Sequence, residues 1–213
     1  MPFITDRDLL ALQPSLFREV SYLSQTLLRA TLAVASGQLT ISGGAAFPAS
    51  VHVGHVALVG DRAMEITAIT SSTSLAVSLT RAEPDGSVIA PPAIADTPGS
   101  IATFGPQIGI IHHQLLRMLG LEASERAIDP FAPGEASVLN PRDLAMVEAV
   151  GTLHLIYTAA AAVTASESPL SARAAHYKER FSQERWRARA IIDTDGDGRA
   201  DAVRTVNVLR MTR

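Results

Sequence analysis

Cysteine is absent from this 213-residue chain, which excludes disulfides, thiol chemistry and thiolate metal sites at once. Lysine is nearly absent too: Lys178 stands against 17 arginines. Charged residues make up 18% of the chain and aromatic residues 5%, while hydrophobic residues reach 47%. So little charge points to a surface partly covered by partners, although an alanine-rich composition produces the same number. The start, Met1-Pro2-Phe3-Ile4-Thr5-Asp6, lacks the basic stretch and apolar run of a signal peptide. The longest apolar run, Tyr157 to Val163, is too short to span a bilayer, so the expectation is a soluble chain with no membrane partner. Also missing are a Gly-x-Ser-x-Gly elbow, a phosphate-cradling Gly-x-x-x-x-Gly-Lys loop and a His-Glu-x-x-His helix. No enzyme is expected from these motifs.

The formal net charge of −3 is unevenly spread. Residues 173–213 hold 10 basic and 6 acidic groups, and residues 1–172 hold 8 basic and 15 acidic ones. Such polarity favours head-to-tail stacking of copies or docking on an acidic partner, or it reflects a solvated helix face and a hairpin. The last helix interleaves Arg173, Lys178, Arg180, Arg185, Arg187 and Arg189 with His176, Tyr177, Phe181 and Trp186. Arginines among aromatics can grip a nucleic-acid backbone. Tyr177, Phe181 and Ala188 nonetheless fall on one helical stripe, the pattern of core packing. A pI near 6 argues against a dedicated reader of DNA sequence.

Periodicity divides the chain. Thr5 is a fitting N-cap for a helix over residues 5–34, with Asp6 and Asp8 in its first turn. Leu9, Leu12, Leu16, Val20, Leu23, Leu27 and Ala30 recur at helical steps, with Pro14 dividing the run in two. From Gly37 to Phe104 short alternating segments follow one another between turns, with seven charged residues in all. They are Leu39–Ile41, Val51–Val59, Ala63–Thr70, Leu75–Leu79 and Ile101–Phe104. Helical period returns at Pro106 and stops at Gly120. Residues 122–140 read as an extended connector. Asn140-Pro141 and Ser168-Pro169 then open two further helices, running to about Ala165 and Arg187. Trp186–Ile192 and Ala202–Met211 make a terminal hairpin.

The expected fold class is therefore α+β: a helical bundle with an inserted small antiparallel β-barrel or sandwich and a C-terminal β-hairpin. Residues 1–35 and 106–190 form the helical domain, 36–105 the inserted β domain and 191–213 the hairpin or tail.

The richest chemistry lies in Asp193-Thr194-Asp195-Gly196-Asp197-Gly198-Arg199-Ala200-Asp201. Asp193, Asp195, Asp197, the Arg199 carbonyl and Asp201 match the first five ligand positions of a calcium loop, with Gly198 at its sharp turn. Position twelve is Arg204, which cannot ligate a cation. A hairpin turn whose aspartates bond local amides explains the same residues. Calcium is accordingly the one cofactor with any support. The six histidines offer no ligand pair: His112 and His113 are adjacent on a helix, and His52 and His55 fall on opposite faces of a strand.

Taken in order, Thr5-Asp6-Arg7-Asp8-Leu9-Leu10 with Pro14 and Phe17, the segment from Val53-Gly54-His55-Val56 through Glu65-Ile66-Thr67-Ala68-Ile69-Thr70-Ser71, and Tyr177-Lys178-Glu179-Arg180-Phe181 leading to the Asp-rich loop resemble head–tail connector (adaptor, neck) proteins of tailed phages and prophages. The β insertion departs from the simplest, all-helical connectors. The resemblance implies a structural virion protein without a catalytic site, assembled in the host bacterial cytoplasm and resident in the virion neck. It implies a homo-oligomeric ring, commonly of twelve copies, docked on the portal protein. Such a ring bridges the portal to downstream neck or tail proteins, and DNA meets it only while passing through the channel. On this resemblance the portal-binding element is Ala202–Arg213, with Val203, Val206, Val208, Leu209, Arg210 and Arg213 as contact residues. Capsid decoration and tail termination are nearer rivals within the virion class than any enzyme.

Overall fold

The computed structural model of the chain describes residues 1–121, 133–164 and 168–206. Its mixed α+β architecture divides into two compact units, one of Thr5–Gly105 and one of Met1–Ile4 with Pro106–Arg213.

The first unit opens with α1 (Asp6–Leu12) and a single turn, α2 (Leu16–Glu19). The Asp8 carboxylate reaches back to accept the Thr5 backbone N–H at 2.8 Å, which fixes the start of α1 where the sequence places it. The helix expected over 5–34 ends here. After a short 3-10 turn the chain enters strand β1 (Gln25–Ala35). Leu27 and Ala30 thus belong to a strand, and the boundary expected at residue 35 moves to Thr5. The physical reason lies in Thr26, Thr31 and Val34, β-branched residues that suit a pleated strand better than a helix.

Five more strands follow: β2 (Gln38–Ile41), β3 (Val56–Val59), β4 (Arg62–Ser71), β5 (Ser74–Ser78) and β6 (Ile94–Thr103). They close an antiparallel barrel in the order β1-β2-β5-β4-β3-β6, so the first and last strands pair and no edge stays open. Strands β1 to β5 each send residues two apart into one core, Leu32 and Val34, Leu39 and Ile41, Ala57 and Val59, Met64 and Ile66, Leu75 and Val77, and β6 adds Ile101. Closure needs β6 to run from Ile94, well before the Ile101 expected from the sequence. Residues 51–55 are turn rather than strand. There Gly54, at φ +90°, donates to the Ile66 carbonyl and accepts from the Arg7 N–H. A Cβ at Gly54 would stand 2.7 Å from Cβ of Thr5, so only glycine lets α1 lie against this turn.

The second unit is built from α3 (Gly105–Met118), α4 (Pro141–Ala162) and α5 (Pro169–Arg187), followed by β7 (Arg189–Ile192) and β8 (Ala202–Thr205). α4 is buried almost all round, through Leu144, Val147, Val150, Leu153, Ile156 and Tyr157. It is long and apolar enough to cross a membrane, and 61% of its most apolar window is covered within the unit, as in a core helix. Neighbouring helices pack tightly against Gly151. A Cβ there would meet Phe181 at 2.7 Å and Ile111 at 3.0 Å. Tyr157 and Tyr177 stack with ring centroids 5.5 Å apart, and the Arg173 guanidinium lies over Tyr157. Ser168 caps α5, accepting the Ser171 N–H. Trp186 belongs to α5, not to the hairpin, and stands 74% exposed.

Candidate functional site

A terminal hairpin forms, with strands shorter than the expected Trp186–Ile192 and Ala202–Met211. β7 starts at Arg189 and β8 ends at Thr205, with Ile191 opposite Val203 and Ile192 opposite Ala202, and residues 207–211 lie outside the described residues. Its β7 edge is covered by the segment before α4: Leu139 N–H donates to the Ile191 carbonyl and Asp193 N–H to the Ser137 carbonyl, each at 2.9 Å. Asn140 does not cap α4 with its side chain. Its amide instead accepts the Ile191 N–H at 2.7 Å and donates to the Arg189 carbonyl at 2.9 Å. An amide carries donor and acceptor together, so it can stand in for a neighbouring strand.

In the loop, Asp193 receives three backbone N–H groups, from Gly196 at 2.7 Å, Gly198 at 2.8 Å and Asp195 at 3.3 Å. The Gly198 bond foremost holds the Asp193 carboxyl below its ordinary range. Asp201 accepts both the N–H and the hydroxyl of Thr194, each at 2.7 Å, and the backbone bond again lowers its pKa. Asp197 accepts the Arg199 N–H. Gly196 and Gly198 both take φ +81°, the left-handed conformation this tight turn demands. One ligand atom each from Asp193, Asp195 and Asp197 lies within 4.8 Å of the others, and Asp201 is not in that group. Arg204, at position twelve, gives its guanidinium to the carbonyls of Leu119 and Gly120. The carboxylates thus accept local amides that brace the turn, and among the described residues no acid stands at position twelve of the calcium pattern.

Val203 is 62% exposed, whereas Val206 is 1% exposed and belongs to the interior. Burial therefore removes Val206 from the contact residues. Val208, Leu209, Arg210 and Arg213 lie outside the described residues.

Two buried charge clusters escaped the sequence reading. In the helical unit, His112 Nδ1 lies 2.9 Å from Glu148 Oε1, and its Nε2 is 3.4 Å from Glu135 Oε2. Burial pushes the Glu148 carboxyl up; the His112 hydrogen bond and the backbone N–H groups of Phe3 and Ile4 oppose that rise. Phe3 packs edge-on against His112, with centroids 4.8 Å apart. His112 and Glu148 are 2% and 0% exposed, and through the Phe3 and Ile4 N–H groups the pair ties residues 1–4 to the unit.

In the barrel unit, Glu65 on β4 forms an ion pair with Arg7 at 2.9 Å and accepts from Arg81, and Arg7 also reaches Asp8 at 3.0 Å and the Arg81 carbonyl. Arg81 donates on to the Gly86 carbonyl at 2.7 Å. Beside it Asp6, 2% exposed, accepts the Phe104 N–H at 2.7 Å. Burial raises the Asp6 carboxyl to about 7, against the pull of its bonds to Thr103 and Phe104. The Asp6-Arg7-Asp8 stretch thus works as a structural clasp. His52 and His55, expected on opposite strand faces, meet in the turn, where His55 Nδ1 accepts the His52 N–H at 3.1 Å. Burial, then repulsion from His52, lowers the His55 pKa.

No family model, curated protein or solved structure matches the chain.

Proposed function

We infer that the protein is a structural building block, a head–tail connector whose copies form a ring on a portal and bridge it to neck or tail proteins, with DNA passing through the channel. The reading rests on the ordered resemblance of its segments, and the observation that carries it furthest is the arrangement of the chain. A closed barrel is set in the chain between Ile4 and Pro106 of a helical unit that also carries the β7–β8 hairpin. Large apolar side chains left outside, among them Trp186, Val203 and Ile110, are the kind that partners cover. The clusters of titratable groups found at His112 and Glu65 are sealed in cores, which accords with a chain that binds rather than turns over. In the finer picture α3, α4 and α5 make the helical body and the barrel contacts neighbouring proteins. Electron microscopy of the purified chain, with and without portal protein, tests the reading. Rings that seat on the portal support it, and a strict monomer that ignores the portal overturns it. Capsid decoration or tail termination would instead appear as binding to capsid shells or tail tubes in the same assay.

A second reading, a calcium-binding module, draws on the grouping of Asp193, Asp195 and Asp197 within 4.8 Å. Calcium titration followed by thermal denaturation decides it, since a bound ion must raise the melting temperature. No shift at millimolar calcium ends it.

A further inference from the structure

A groove of about 450 Å³ runs between α3, α4 and α5 in the helical unit. Its floor is apolar, with Ile111 from α3 and Phe181 from α5, and Thr158 of α4 stands on one wall. The opposite wall carries Lys178, Ser182 and Arg185, spaced four and three apart and so aligned on one face of α5. The two cations sit two helical turns apart, roughly 10 Å along the axis.

Neither cation has an acidic partner among the described residues. Arg187, two positions on, is paired with Glu184 at 3.7 Å, and Arg7 and Arg81 share Glu65. Arg185 instead lies over the Phe181 ring, 5.6 Å from its centroid, and its Nε is buried with no hydrogen-bond partner. A guanidinium held over an aromatic ring, two turns from an ammonium without an acidic partner among the described residues, is prepared for carboxylate or phosphate.

The chain also carries the complementary shape. The β7–β8 loop projects as a narrow exposed turn, rigid through its Asx bonds and left-handed glycines. Asp193 and Asp201 are spent on bracing it, while Asp195 and Asp197 remain at the exposed tip. Asp195 has no cation within ion-pairing distance among the described residues, and Asp197 meets only its own Arg199 at 4.0 Å. A pair of cations without an acidic partner among the described residues, and an acidic tip whose carboxylates meet only loop amides and Arg199, make a heterologous contact, one that copies can repeat head to tail.

We propose that the Asp195–Asp197 tip of one copy docks in the Lys178–Arg185 groove of the next. The contact deepens the ring reading given above and rests on it for the expectation that copies meet. Charge complementarity selects the second copy over other occupants, and the apolar floor suits a polypeptide turn better than a nucleic-acid backbone.

Sedimentation velocity of the full chain, across protein concentration and salt, tests this against three variants. Lys178→Glu with Arg185→Glu, and separately Asp195→Lys with Asp197→Lys, should each weaken self-association roughly tenfold or more, and added salt should weaken the natural chain. A chain carrying all four reversals should associate again, and that recovery also shows that the reversed chains fold. Charge variants that associate as the natural chain does overturn the docking contact while leaving rings intact. Salt-sensitive, rescued association into open chains without closed rings supports the contact and removes the ring. A natural chain that stays monomeric overturns both. Groove reversal that abolishes binding of a labelled DNA duplex while self-association is unchanged also overturns the proposal, because the groove then takes phosphate.

Discussion

In the barrel unit the buried cations are arginines, Arg7 and Arg81, and both lean on the same carboxylate of Glu65. In the helical unit the buried carboxylate of Glu148 leans on an imidazole, His112. Guanidinium groups keep their charge at any pH a protein survives, so the barrel cluster is a fixed set of ions and must stay paired. An imidazole and a carboxylate can share one proton and become a neutral hydrogen-bonded pair. The first arrangement fails hard when one partner goes; the second can adapt.

Glu65→Ala gives the largest expected effect. It strands two guanidinium groups among buried neighbours and should cost about 3–5 kcal/mol of unfolding free energy, read by urea denaturation. A loss under about 1 kcal/mol would show that water or backbone carbonyls replace the carboxylate, and the contrast between the units would collapse.

Asp6 is the exception inside the barrel unit, an acid held near 7. Its folded pKa exceeds the unfolded value of 3.8, so the native state keeps a proton that the unfolded chain releases. Below pH 4 both states hold the proton and the full stability is present. Between pH 4 and 7 each pH unit costs about 1.4 kcal/mol, and the loss levels off above 7. Asp6→Asn keeps an acceptor for Phe104 N–H without the charge. Relative to the natural chain, it should gain about 4 kcal/mol between pH 4 and 7.5. Parallel stability curves across that range would show that Asp6 titrates normally.

Gly151→Ala probes packing in the helical unit, where the added methyl would press on Phe181 and Ile111. A loss of about 1–3 kcal/mol is expected, with the Tyr157–Tyr177 stack disturbed in the near-ultraviolet circular dichroism. Glu148→Gln is the smallest change. It preserves shape and a hydrogen bond to His112, so a loss of about 1 kcal/mol at neutral pH is expected. A loss as large as that of Glu65→Ala would make the two clusters equivalent.

Local chemistry was legible in the sequence wherever it acts over a few residues. Thr5 with Asp8, Ser168 with Pro169, Pro141 and the glycine–aspartate turn each mark a boundary that the structure keeps. β1 was not legible, because Leu23, Leu27 and Ala30 satisfy a helical step as readily as a strand whose two faces are both half covered. The buried clusters were hidden for a different reason. Glu65 is far from Arg7 in the chain, and His112 is 36 residues from Glu148, so only tertiary folding brings them together. Asn140 was read as a cap from its place before Pro141, yet the neighbouring β7 edge competes for the same amide and takes it.

The hydrogen bond from Phe104 N–H to Asp6 joins the two ends of the excursion that runs from Thr5 to Gly105. A long detour clasped at its base behaves, for the flanking chain, as a brief loop, because the entropy of bringing its ends together is settled inside the detour itself. The barrel is therefore a cassette. Excision at this clasp and replacement by a few turn residues should leave the remaining chain able to fold, and a different small domain with adjoining ends could be spliced into the same seat.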